Sequence, residues 1–288
     1  NQEDWIYVFG QYKKSPEYLI VNKMMQLSEF KYIFWWEYAH RAFARLLGFV
    51  FIIPFFYFLY KKFLEKKLIG ALTIAFLFGI MQAIVGWWMV KSGLTDDPYV
   101  SQYRLSFHLF NALIILGILI WLTLVKLIPI KNEIKNNLAY NLILISLLLC
   151  IITIISGSFV SGTDAGKSFN TFPLMNGRFF PEGYFIEENI FLNFFENTIA
   201  IQFNHRWVAM FTFFWVVLVI IYISYTNLNK IQKICCFVVA STITFQIIIG
   251  ILTLINNVPI ILASIHQANA TLLYSSLIIT LYFFSRRS

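Results

Sequence analysis

Seven apolar runs divide this chain: residues 33–60, 68–90, 105–130, 138–160, 198–225, 231–255 and 260–285. Each reaches or exceeds the roughly 20 residues that a helix needs to cross the hydrocarbon core of a bilayer. In lipid the backbone must satisfy its own hydrogen bonds, which leaves helices or a closed barrel. No ten-residue alternating pattern recurs, so the barrel is ruled out. The predicted fold is an all-α polytopic membrane protein. Composition agrees: the chain is 59% hydrophobic and 12% charged, about half the charge share of a soluble domain.

The net charge of +8 does not point to nucleic acid, because the basic residues sit in alternate short connections. These are "KKFLEKK" (61–67), "KLIPIKNEIK" (126–135), "NLNKIQK" (227–233) and the final "SRRS". The other connections, 91–104 and 161–197, are mixed or acidic, and the second carries Glu182, Glu187, Glu188 and Glu196. The positive-inside rule then places residues 1–32 outside and the C-terminus inside. Cys150, Cys235 and Cys236 all fall in apolar runs, with no C-x-x-C and no C-x-x-C-H. They read as small core residues.

Only four histidines occur, His40, His108, His205 and His266, each inside an apolar run. The topology puts all four near the outer ends of their helices. An imidazole within a membrane is costly unless it has a partner, and four at one depth point to a shared role. The chain also repeats itself. "YAHRAFA" (38–44) resembles "FNHRWVA" (203–209), "QAIVG" (82–86) resembles "QIIIG" (246–250), and "HLFNA" (108–112) resembles "HQANA" (266–270). Order and spacing are kept, so two copies of one unit are predicted, running parallel about an axis along the membrane normal. The expected domains are 1–130 and 131–288. The second copy has four helices, and the offset predicts a counterpart of its first helix just before residue 1. The expectation is two pseudo-symmetric four-helix bundles, with seven of eight spans in this sequence.

Two histidines per unit are too few for zinc, which takes four ligands and finds too few Cys, Asp or Glu here. They suffice as axial ligands of a haem between facing helices. Each histidine has an alanine four residues on, at Ala44, Ala112, Ala209 and Ala270, one turn along the same face, where a ring needs room. Arg41 and Arg206 each follow a histidine. They are placed either to pair with haem propionates or to reach for lipid headgroups. "GWWMVKSG" (86–93) reads as an aromatic belt with a flanking lysine.

The copies differ in one position. Three residues before His40 stands Glu37, and three before His205 stands Gln202. These share a helix face with their histidines. A carboxylate at a haem edge takes a proton or stabilises positive charge better than an amide does. Chemistry is therefore assigned to the first unit and a bound, electron-carrying haem to the second.

Six segments, "EYAHR", "GWWMVKSGL", "VSQYRLSFHL", "AGKSFNTFPLMNG", "FNHR" and "HQANA", together resemble the haem A synthase family of the mitochondrial and proteobacterial type, in order along nearly the whole chain. The resemblance implies eight spans in two four-helix halves and oxidation of the C8 methyl of haem O to a formyl group, giving haem A for cytochrome oxidase. It implies His40 and His108 as ligands of the substrate haem O, Glu37 as the assisting acid, and His205 and His266 as ligands of a haem b. Partners implied are haem O, haem O synthase and cytochrome oxidase assembly factors, in a bacterial plasma membrane or mitochondrial inner membrane with the haem sites toward the outer face. No electron donor is specified, and a homo-oligomer is allowed. The sequence departs from the family at Ala44–Arg45, where Gly-Arg is common, and lacks the cysteine pair that some members carry in the first outer loop. A rival class is a non-catalytic b-type membrane cytochrome or haem chaperone, which explains the histidines but not the unequal acid. The "FNTFPLMNG" loop (169–177) is either a lid on the substrate site or a structured outer turn.

Overall fold

A computed structural model describes residues 1–92, 98–128, 137–186 and 188–285. Glu187, "SRRS" beyond Ser285, parts of the 91–104 and 126–135 connections, and the expected domain boundary at 130/131 lie outside the described residues. Those that are described form helices joined by turns, with no strand and only an isolated bridge between Met175 and Arg178. The helices are α1 (Gln2–Tyr12), α2 (Leu27–Tyr60), α3 (Lys66–Ser92), α4 (Gln102–Leu127), α5 (Asn137–Gly162), α6 (Ile190–Phe195), α7 (Thr198–Ser224), α8 (Lys230–Ile255) and α9 (Ile260–Phe284).

The seven apolar runs are α2, α3, α4, α5, α7, α8 and α9, within a few residues at each end. The largest difference is the start of α2, which begins at Leu27 rather than 33. The reason is a capping box: Glu29 accepts from the Gln26 backbone N–H at 2.8 Å and so satisfies an orphan donor two turns earlier. Six helices, all of the seven but α9, are long and apolar enough to cross a membrane, and the chain is an all-α polytopic membrane protein. Helix α9 has 25 residues but carries Ser264, His266, Gln267, Asn269, Ser275 and Ser276, which lower its hydropathy. It tolerates them because it is the most deeply packed helix. Asn269, Tyr274, Ser276, Thr280 and Tyr282 are all buried in it.

The chain divides into two compact units, Asn1–Ile115 and Leu116–Ser288. In the first, α1 lies against α2 through Trp5, Phe9, Tyr12, Phe30 and Phe34, whose rings meet at 4.9–6.5 Å. Asn22 donates to the Tyr12 hydroxyl at 2.9 Å and to Glu17 at 3.3 Å. Burial pushes the Glu17 carboxyl above its ordinary range. A hydrogen bond from Tyr12 opposes that rise, and the charge of Glu37 adds a smaller push upward. In the second unit α5, α7, α8 and α9 form a four-helix bundle, with α5 against α7 and α9, and α8 against α7 and α9. Its core is Ile143, Val216, Ile223, Val239 and Leu277, each at most 2% exposed. Large apolar side chains such as Phe211, Leu218 and Phe237 point outward, as they do on helices solvated by lipid.

The C-terminal half of α4 belongs to the second unit. Leu124, Cys235, Tyr282 and Phe283 form a cluster there, and the Tyr282 hydroxyl lies within hydrogen-bond reach of the carbonyls of Leu124 and Ile128. Gly117 allows this approach: a Cβ there would stand 2.5 Å from the Tyr274 hydroxyl and 3.3 Å from Ile278. Gly117→Leu should therefore separate α4 from α9 and lower stability by about 1–3 kcal/mol, the usual cost of overpacking. Thermal unfolding in detergent measures it, and an unchanged midpoint would remove this contact from the account.

Candidate haem-binding site

The second unit contains a cleft of about 300 Å³ lined by α5, α7, α8 and α9. His205 from α7 and His266 from α9 both line it, within electrostatic range of each other. So do Arg206, Gln202, Ala209 and Ala270. The expected pairing of His205 with His266 is thus present, and the alanines one turn on border the same space. Among the described residues no three His, Cys, Asp or Glu side chains come together around a bare metal ion. Two imidazoles lining one mostly apolar cavity are instead a donor set that would suit an axially ligated macrocycle.

Each ring is held by its neighbouring helix. A Cβ on Gly157 would sit 3.1 Å from Cε1 of His205, and one on Gly250 would sit 2.8 Å from Cε1 of His266. These glycines let the helices close on the imidazole edges. On the His266 side, Asn269 donates to the Thr242 carbonyl at 2.9 Å and to Gln246 Oε1 at 2.7 Å. A carbonyl only accepts, so this fixes which end of the Asn269 amide is nitrogen and, in turn, which way Gln246 faces. The Gln246 amide nitrogen then lies 3.2 Å from His266 Nδ1 and 3.2 Å from the His266 carbonyl.

The first unit builds the same arrangement around His108. Asn111 donates to the Phe78 carbonyl at 3.0 Å and to Gln82 Oε1 at 2.5 Å. The Gln82 amide nitrogen meets His108 Nε2 at 3.1 Å, and a Cβ on Gly86 would touch Cε1 at 3.0 Å. The repeated "QAIVG" and "HLFNA" segments are therefore a Gln–Gly helix face packed on a His–Asn face. The glutamines, asparagines and glycines were readable as repeated letters, but their roles were not. Placing glutamine and glycine four residues apart on one helix, and histidine and asparagine three apart on the next, was the signal available. His40 and His108 lie within electrostatic range of each other. His40 is exposed, and Glu37 pairs with Arg41 at 3.0 Å on the open face of α2. "GWWMVKSG" does more than belt the membrane. Arg104 at the start of α4 stacks 4.4 Å from the Trp88 ring and donates to the Trp88 carbonyl, and Ser92 accepts from the Ser101 backbone, tying α3 to α4.

The position that differs between the repeats has a structural role in the second unit. Gln202, 2% exposed, donates to the carbonyls of Gly166 and Phe169 at 3.1 and 3.0 Å. Arg206 donates to Phe169 and Thr171 at 2.6 and 2.8 Å, and its buried Nε has no partner. Together they pin the loop that begins "AGKSFNTFPLMNG". Within it Asn170 reaches the Leu254 carbonyl at 2.9 Å, Thr171 closes a turn through Leu174 and Asn176, and Phe172 reaches the cavity wall. The loop is a structured turn that walls the cavity of the second unit.

Residues 1–278 match the family described as COX15-CtaA, cytochrome oxidase assembly protein. The chain belongs to the COX15-CtaA family. It is 40% identical over 284 residues to a protein of Nitrosospira multiformis named Heme A synthase, covering 96% of this chain and 78% of that one. A Heme A synthase of the Wolbachia strain from Culex pipiens is 39% identical, at 96% and 82% coverage. An Arabidopsis thaliana protein named Heme A synthase COX15 is 38% identical, at 97% and 64%. In this COX15-CtaA member, Gln202→Glu should release the loop. A carboxylate cannot donate to two carbonyls, and losing such a buried partner costs about 1–3 kcal/mol. Limited proteolysis should cut within 165–177 faster in that variant than in the parent, and equal rates would show that the loop does not depend on Gln202.

Proposed function

We propose that this chain oxidises the C8 methyl of haem O to a formyl group, giving haem A for cytochrome oxidase. The observation that carries this is the pair His205 and His266 lining one mostly apolar cavity, in a chain whose relatives bear the name Heme A synthase. The first unit takes haem O between His40 and His108, and the second holds a haem b between His205 and His266. The cavity suits that group: two imidazoles face it, glycines clear the ring edges, and Arg206 keeps a buried, unpartnered Nε at its rim. When bound, haem b would supply one-electron redox chemistry.

The chain's own residues divide the remaining work. In the first unit Arg41 engages Oε2 of Glu37, leaving Oε1 to take a proton or orient water beside the substrate edge. Arg41 also offers a guanidinium for a propionate. In the second unit Gln202 is committed to two backbone carbonyls, so it supports the wall of the cavity rather than proton transfer. Substrate oxidation then runs from methyl to alcohol to hydrate, each step adding one oxygen and passing, net, two electrons from the carbon to an external oxidant, and the hydrate loses water to give the aldehyde. The sites face the outer side of a bacterial plasma membrane or mitochondrial inner membrane, with the isoprenoid tail of haem O left in lipid. Haem O synthase supplies the substrate, and cytochrome oxidase assembly consumes the product. A purely electron-carrying b-type cytochrome would share His205 and His266 but leave Glu37 without a task.

Membranes co-expressing the protein and a haem O source test this by haem extraction and mass-resolved chromatography. Haem A, or its hydroxylated precursor, is expected from the parent. Glu37→Gln should keep both haems and lose about a hundredfold or more of the formyl product, within the range for a general acid or base. His205→Ala should lose haem b. Haem O and haem b alone from a folded, haem-loaded parent would contradict the enzyme.

A further inference from the structure

An imidazole that ligates iron through Nε2 must keep its proton on Nδ1, and what accepts that proton's hydrogen bond sets both tautomer and ring angle. Thr153, Ser156 and Gly157 stand at i, i+3 and i+4 on α5 and so share one face. Two of them meet the His205 ring. The Ser156 hydroxyl oxygen lies 2.7 Å from His205 Nδ1 and 2.8 Å from the carbonyl of Thr153. A serine hydroxyl has one hydrogen, and a carbonyl can only accept. With the hydroxyl hydrogen on Thr153, the oxygen is left to accept from Nδ1–H. Nε2 carries the lone pair.

The ring is also held at the adjacent Cε1 by Gly157, whose added Cβ would stand 3.1 Å from it. Thr153 is itself fixed. Its hydroxyl donates to the Leu149 carbonyl at 2.8 Å and meets the Thr212 hydroxyl of α7 at 2.8 Å. Thr212 lies two turns along α7 on the face that carries His205. A short ladder of hydroxyls thus joins α5 to α7 and ends on the imidazole.

We propose that Ser156 is a positioning residue for His205, fixing its Nδ1–H tautomer so that Nε2 is the atom offered to the haem. This rests on the reading of His205 as an iron ligand. A neutral hydroxyl whose own proton is already committed is a good acceptor, and accepting from Nδ1–H makes the imidazole a stronger donor to iron. It favours ferric over ferrous haem. His266 is held differently: the Gln246 amide nitrogen lies 3.2 Å from its Nδ1, 3.4 Å from its Nε2 and 3.2 Å from its carbonyl.

The test uses purified, haem-loaded protein as parent, Ser156→Ala, Ser156→Thr, Ser156→Cys and His205→Ala, with an optical redox titration of haem b and ferric EPR as readouts. Ser156→Ala should retain haem and a low-spin spectrum, with the haem b potential moved to more positive values and the g values shifted. Ser156→Thr, which keeps the hydroxyl, should return both toward the parent. Ser156→Cys, close in volume but a weaker acceptor, should fall between, and it carries the test if the alanine variant does not fold. Parent-like potential and EPR in both Ser156→Ala and Ser156→Cys, with the low-spin signal lost in His205→Ala, would overturn the positioning role alone. A low-spin signal that survives His205→Ala would overturn the ligand assignment, and the role of Ser156 with it.

Discussion

An imidazole inside a bilayer must be matched from the neighbouring helix, and much of this structure follows from that requirement. His108, His205 and His266 each meet a glycine on the adjacent helix and a polar side chain near or beside it on the same face. The glycine brings the helix backbones close enough for the polar group to reach the ring. The alternative, an unpartnered imidazole in hydrocarbon, is expensive. Helix packing and ligand placement are thus one problem with one solution, used three times. In the second unit both of these histidines line one cavity.

The unequal residue between the repeats has two sides. Read from the sequence, Glu37 against Gln202 distinguishes a reacting site from a resident one. In the structure Gln202 is an amide for a further reason: it must donate to two carbonyls of the loop that walls the cavity. Arg206 shares that loop through Phe169 and Thr171, whereas Arg41 turns to Glu37. The same pair of positions, three before and one after a histidine, thus supports a wall in one unit and forms an exposed acid–base pair in the other. Surface ion pairs of this kind add little stability, which leaves the carboxylate of Glu37 available for chemistry.

Much of the fold was legible because lipid permits few answers. Apolar runs of the right length gave all seven long helices, and the histidines stood out because they were the only ones. The close contacts were less legible. Gly86, Gly157 and Gly250 look like ordinary small residues of membrane helices, and their meaning depends on which helix faces which. Ser156 lies 49 residues from the ring it meets, so no local pattern marks it. Helix α1 and its aromatic cluster were missed because the segment is too short and too polar to resemble a span, while its contacts with α2 are tertiary. The loop at 169–177 could not be placed for the same reason: its anchors, Gln202 and Arg206, lie on a different element.

The central claim is that one macrocycle sits between His205 and His266. Cryo-electron microscopy of the protein purified from a haem-producing host tests it most directly. The account predicts planar porphyrin density within the cavity bounded by α5, α7, α8 and α9, with iron held between the His205 and His266 imidazoles. Density for lipid or side chains in that space, or iron held by any other residue, would contradict it.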